Sequence, residues 1–212
     1  MITTTVEEKV KNFFEKEIKT KNLKLYNEAG LQYELALYLR HELEGATILL
    51  EYPRTSKFTA ELNPNYEKKT KFVKKEIDIF VEHGGEKVVI ELKFPRSTAG
   101  FPGLIYNAAK DVKFGDQIVK SGRANRFITT FITDHRSVGN KNTNHIYNLF
   151  NSDTPSIRTI KIDDNYPKFM KDYLPIDLNK DKFEIKWKDL NHNDKNFKYY
   201  IISSDSKQTS CK

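Results

Sequence analysis

The sequence predicts an α/β fold, a central mixed sheet of four or more strands flanked by helices, and three observations lead to it. Apolar residues recur at helical spacing in segments 6–18, 28–43 and 104–120. Segments 46–52, 75–94 and 126–133 instead read as strands, by alternation or by short apolar runs. The last of these follows a hairpin and a helix, so it is a candidate parallel neighbour of the hairpin across a right-handed connection.

Val6, Val10, Phe13, Phe14 and Ile18 make the stripe of the first helix, a packing element. Leu31, Leu35, Tyr38, Leu39 and Leu43 make that of the second, which Gly45 ends. Glu34 lies at the edge of this stripe, and its four-residue neighbours Gly30 and Tyr38 offer no ion pair to account for it. Residues 46–52 form a strand closed by Pro53, and a lysine-rich connection leads to segment 75–94, KEIDIFVEHGGEKVVIELKF.

In that segment Ile77, Ile79 and Val81 share one face of the first arm, and Val88, Ile90, Leu92 and Phe94 share one face of the second. The other faces carry Glu76 and Asp78, then Glu91 and Lys93. Gly84-Gly85 supplies the positive φ that a two-residue hairpin turn needs. With His83 beside Glu86, counting outward sets Val81 beside Val88, Ile79 beside Ile90, Asp78 beside Glu91 and Glu76 beside Lys93. A one-residue slip would put every apolar set on the wrong face.

The loop FPRSTAGFPG follows, then a helix over 104–120 built on Ile105, Ala108, Ala109, Val112 and Ile118, stopped by Ser121-Gly122. After the strand at 126–133, residues 143–150 suggest a short helix. Residues 182–188 and 197–203 suggest two strands joined by the polar turn DLNHNDKN, a C-terminal hairpin extension. Residues 1–205 read as one domain and 206–212 as a flexible tail. A chain of 212 residues can bury roughly 70% of its unfolded surface.

The single cysteine, Cys211, precludes an intramolecular disulfide, and no signal-peptide core or membrane-length apolar run is visible, so a cytoplasmic protein is expected. Net charge is +7, which suits a polyanion. Lys68, Lys69, Lys71, Lys74 and Lys75 crowd the approach to the hairpin, where they either meet phosphates or blunt a strand edge. Arg96 in the following loop is a second candidate phosphate clamp.

Like charges directly opposed across a hairpin destabilise it, so Asp78 and Glu91 call for compensation. A divalent cation is the simplest, since Mg²⁺ takes oxygen ligands and commonly uses one or two carboxylates plus a substrate phosphate. The alternative is a solvated polar face with a Glu76–Lys93 ion pair.

Asp78 followed by Glu91-Leu92-Lys93 on the next strand resembles the D…(D/E)-x-K signature of the PD-(D/E)XK nuclease superfamily, with Ile77 where the pattern's name has proline. The resemblance implies a restriction endonuclease-like core. It further implies Mg²⁺, replaceable by Mn²⁺, held by Asp78, Glu91 and the Leu92 carbonyl, with Lys93 orienting or helping to deprotonate the attacking water. A first long helix often adds an acidic residue in this superfamily, for which Glu34 is the best match, ahead of Glu28 and Glu51. Gln117 is followed four residues later by Ser121, not by the tyrosine of one subgroup. By analogy the chain is most like a stand-alone type II restriction endonuclease acting on DNA as a homodimer. Another nuclease of the superfamily, acting in repair, on junctions or on RNA, and a non-catalytic DNA-binding subunit are the alternatives.

Other chemistries find little support. His41, His83, His135, His145 and His192 show no paired zinc-ligand spacing, and no Walker loop, dinucleotide fingerprint or nucleophile elbow is present, so no nucleotide cofactor is expected. Asp134-His135-Arg136 with His145 is only a weak echo of a different nuclease motif.

Overall fold

Thr5 opens the first helix through a capping box: its Oγ1 accepts the Glu8 N–H, and the Glu8 carboxylate accepts the Thr5 N–H at 2.9 Å. The computed structural model describes residues 5–52, 59–61, 72–74, 76–95, 101–134, 156–157, 176, 183–192 and 195–205. In it the helix runs as α1 (Val6–Asn12), a π-helical turn (Phe13–Glu17) and α2 (Ile18–Thr20). The consecutive Phe13 and Phe14 are both fully buried around this wider turn. Helix α3 (Glu28–Glu42) starts where the Asn27 side chain accepts the Gly30 N–H at 2.6 Å, and its buried residues are Leu31, Gln32, Leu35, Ala36 and Leu39.

Among the described residues six strands form the main sheet: β1 (Thr47–Tyr52), β4 (Ile77–His83), β5 (Glu86–Lys93), β6 (Arg126–Thr133), β10 (Lys195–Asp205) and β9 (Lys188–His192), in that spatial order. Two short pairs, β2 (Thr59–Glu61) with β3 (Phe72–Lys74) and β7 (Ser156–Ile157) with β8 (Phe183–Glu184), stand outside it. β5 and β6 are parallel, from Val88↔Arg126 to Lys93↔Phe131, while the other contacts within the sheet are antiparallel. The mixed α/β architecture and the parallel neighbour after the hairpin thus follow the sequence expectation. Helix α4 (Phe101–Lys120) makes the connection between them.

The sheet is covered on both faces. Ile79, Val81, Val88, Ile90, Leu92, Ile128 and Ile132 pack with α1, α2 and α3, whereas Phe80, Val89, Phe127 and Phe131 pack with α4. Gly115 permits the close approach of α4: a Cβ there would lie 2.5 Å from the Phe127 ring. Strands buried on both faces carry near-continuous apolar runs, as Phe80-Val81 and Val88-Val89-Ile90 do.

Four expectations need correction. Ile77 belongs to the α4 side, not to the face of Ile79 and Val81, because strict alternation does not hold across Asp78, where the facing strand carries Glu51 at φ +45°. Helix α4 begins at Phe101, not 104, since Pro102 is tolerated in a first turn. The strand beside β10 is Lys188–His192, which apart from Lys188 falls in the stretch read as a turn. Its polar residues suit an edge strand, and Leu190 and His192 point inward. The C-terminal hairpin is also no extension: β10 pairs along β6 from Lys198↔Thr133 to Asp205↔Arg126 and completes the main sheet. Segment 143–150 and the tail 206–212 lie outside the described residues.

Candidate functional site

Gly84 and Gly85, at φ +57° and +81°, close the hairpin in the expected register, from His83↔Glu86 through Val81↔Val88 to Ile79↔Ile90. The ladder ends there, one pair short of Asp78 and Glu91, so the expected direct pairing of the two carboxylates is not made. The other flank of β4 keeps one offset against β1 throughout. It runs from Thr47↔Glu82 through Leu50↔Ile79 to Tyr52↔Ile77, and between the last two pairs Glu51 adopts φ +45°.

Side chains bond to the strand backbone at this end of the hairpin. The Asp78 Oδ2 accepts the Leu92 N–H at 2.7 Å, and the Asp78 carbonyl accepts the Gln32 Nε2 N–H at 2.6 Å. The Gln32 Nε2 also donates to the Glu51 Oε1 at 2.9 Å. Asp78 is thereby bonded to the backbone of β5.

Lys93 is the hub of the charges. Its Nζ donates to the Leu92 carbonyl at 2.8 Å and to Glu28 Oε1 at 3.2 Å, and lies 3.5 Å from Asp111 Oδ2. The Lys93 side chain is 17% exposed and that of Asp111 only 3%. Burial works against the ammonium, but Asp111, Glu28, Asp78 and Glu91 outweigh it and raise the Lys93 pKa above the usual lysine range. Four carboxylates thus act on one ammonium, an acidic pocket in a protein of net charge +7. Glu28 also accepts the Phe94 N–H at 2.9 Å, which fixes the start of α3 against the end of β5.

Asp78, Glu91 and Lys93 therefore gather at the open end of β4 and β5, with Leu92 among them. Glu34 does not join them. It lines a separate groove with Phe13, Glu17, Tyr38 and Glu42, because its helical phase turns it towards the first helix; the α3 carboxylate at the site is Glu28. Glu51 reaches the site's rim through Gln32. Lys71, Lys75 and Arg96 lie outside the described residues, and Lys74 ends β3. Sequence reasoning missed Asp111 and Gln32. Each is a polar residue on the apolar face of a helix, Asp111 between Ala108 and Val112 and Gln32 beside Leu31 and Leu35, and helical phase alone would have marked both.

Among the described residues no group of three or more His, Cys, Asp or Glu side chains is arranged to hold a metal ion. The donor set of Asp78, Glu91 and the Leu92 carbonyl is nevertheless all oxygen, which suits Mg²⁺ completed by water or phosphate. A carbonyl has two lone pairs, so the Lys93 ammonium and a cation can share the Leu92 oxygen. No helix among the described residues is long and apolar enough to cross a membrane.

The chain matches no protein-family model, no curated protein and no solved structure. Any functional reading therefore rests on the residues themselves.

Proposed function

We propose that the protein is a Mg²⁺-dependent endonuclease hydrolysing DNA phosphodiester bonds, in the manner of the PD-(D/E)XK enzymes it resembles. The observation that carries this reading is the convergence of Asp78, Glu91 and Lys93 at the open end of two adjacent strands, with Asp78 bonded to the Leu92 amide and Lys93 to the Leu92 carbonyl. Mg²⁺ held by Asp78, Glu91 and the Leu92 carbonyl would lower the pKa of water and stabilise charge on the scissile phosphate. Lys93, kept as an ammonium by its carboxylate neighbours, orients the attacking water or a phosphate oxygen and does not serve as the base. Glu28 takes the part first given to Glu34, holding Lys93 from α3.

Within this class the reading closest to the sequence is a type II restriction endonuclease, a homodimer cutting foreign DNA. Incubation of plasmid DNA with the protein and Mg²⁺, or Mn²⁺ in its place, tests it. Discrete fragments support restriction, and a smear indicates a nuclease without sequence preference. Binding without cleavage would overturn the catalytic reading in favour of a DNA-binding subunit.

A further inference from the structure

Glu34, the carboxylate that helical spacing marked but the candidate site does not use, lies in a groove of about 300 Å³ between the first helical segment and α3. Phe13, Leu23, Leu37 and Tyr38 supply its apolar lining, with the Phe13 and Tyr38 rings 5.5 Å apart, and Glu17 and Glu34 add carboxylates. Phe13 and Glu17 are the first and last residues of the π-helical turn, and such turns recur at functional sites. Glu42, also in the groove, is held by Lys9 at 2.6 Å and by His41 at 3.0 Å. Among the described residues no ion pair or hydrogen bond engages the Glu17 or Glu34 carboxylate in this way. Burial and the charges of Glu42 and Glu17 push the Tyr38 phenol up, so its hydroxyl keeps its proton and can donate.

Apolar surface runs on beyond the groove. Tyr33 and Leu37, four residues apart on one side of α3, are 55% and 43% exposed. A small molecule filling the groove would leave that strip in water, whereas a peptide lying along α3 would cover both. Two carboxylates without a partner beside two aromatic rings favour arginine or lysine, which can pair with the carboxylates and pack on a ring face. Lys21 and His41 also line the groove, but at its exposed rim, where solvent screens them. We infer that this groove docks a basic amphipathic peptide segment of a partner protein: an aliphatic or aromatic side chain packs against Phe13, Leu23 and Leu37, and a neighbouring arginine or lysine meets Glu17 and Glu34. The inference goes beyond the nuclease reading and does not depend on it. In a chain of net charge +7 an acidic groove also separates partners, since it repels the polyanions that the whole protein attracts.

Selection from a library of random displayed peptides on the whole protein tests this, with a variant carrying both Glu17→Gln and Glu34→Gln as the counter-selection. Peptides that set leucine, isoleucine or phenylalanine beside arginine or lysine should be enriched. A fluorescein-labelled copy of the leading peptide, titrated by fluorescence polarisation, should bind about tenfold more weakly to the double variant and to Leu37→Ser, the loss expected of a contact that anchors an interface. Glu44→Gln, which removes an exposed carboxylate outside the groove, should change the affinity by less than about twofold. These substitutions fall on exposed or half-buried side chains, so the fold should survive, as circular dichroism of each variant checks. If the double variant nevertheless unfolds, Leu37→Ser makes the same comparison. Excess plasmid DNA should leave the peptide bound, because the groove is separate from the candidate site. No enrichment, enrichment of peptides without a basic residue, or an affinity indifferent to both groove variants would overturn the inference. Displacement of the peptide by arginine methyl ester at equal concentration would overturn it in favour of a small organic cation.

Discussion

The two ends of the β4–β5 hairpin start from the same alternating sequence and finish differently. At the turn end Glu82 pairs with Lys87 and His83 with Glu86 in an unbroken ladder at the surface. At the open end the ladder stops after Ile79↔Ile90, Glu91 is 1% exposed, and side chains from α3 and α4 enter where strand pairing would continue. The turn end is governed by two glycines within the hairpin. The open end is governed by residues remote in sequence, with Glu28 sixty-five positions from Lys93. A regular ladder makes a good scaffold, but its polar groups are spent on each other; at the open end the Asp78 carboxylate and the Leu92 carbonyl are bonded by the Leu92 amide and the Lys93 ammonium.

The largest effect expected of this contrast lies in the carboxylates of the open end. On the proposed chemistry, Asp78→Ala and Glu91→Ala each lower cleavage roughly a thousandfold, the several kcal/mol that a positioned Lewis acid supplies. Nicking assays with Mg²⁺, run beside circular dichroism, measure this. Near-normal turnover with either variant would leave the open end without a catalytic role.

Lys93→Met is expected to act on both stability and chemistry. It strips Asp111 of a buried ion-pair partner, at a cost of about 3 kcal/mol in urea denaturation, and it lowers single-turnover cleavage by about a hundredfold. Combining it with Asp111→Asn should restore much of the stability and none of the cleavage. Additive losses of stability would show that the two residues are not coupled.

The turn end should respond in the opposite sense. Gly85→Ala places a side chain at φ +81° and should cost about 1 to 2 kcal/mol, while the cleavage rate of the folded protein stays within twofold of wild type. A selective loss of activity would mean that the two ends communicate through the ladder, and the contrast drawn between them would fail.

The smallest expected effect concerns pH. The Lys93 pKa is raised on folding, so its stabilisation is fully present below the unfolded-state value near 10.4 and is lost only as pH rises through the higher folded value. The stability gap between wild type and Lys93→Met should therefore stay constant from about pH 6 to 9 and narrow only in stronger alkali. Narrowing between neutrality and pH 9 would show that the carboxylates do not hold the ammonium.

Much of the scaffold was legible because it is set by local chemistry. Gly84-Gly85 can reach positive φ, and period-2 alternation then fixes every partner as far as Ile79 and Ile90. Helical periodicity located α1, α3 and α4, and the order hairpin, helix, strand anticipated the parallel contact of β5 with β6. Asp78, Glu91 and Lys93 were visible as a spaced motif on those strands. Other features were set by packing between elements far apart in the chain. Whether Glu28 or Glu34 reaches Lys93 depends on how α3 is rotated against the sheet, since the two lie six residues apart and therefore on different faces of the helix. Asp111 enters only because Gly115 lets α4 lie close on Phe127. The strand in Lys188–His192 is too polar to announce itself and is formed by β10 beside it. The donor to the Asp78 carbonyl is likewise a tertiary decision: Gln32 reaches it from α3, and nothing in the sequence of β4 announces that bond.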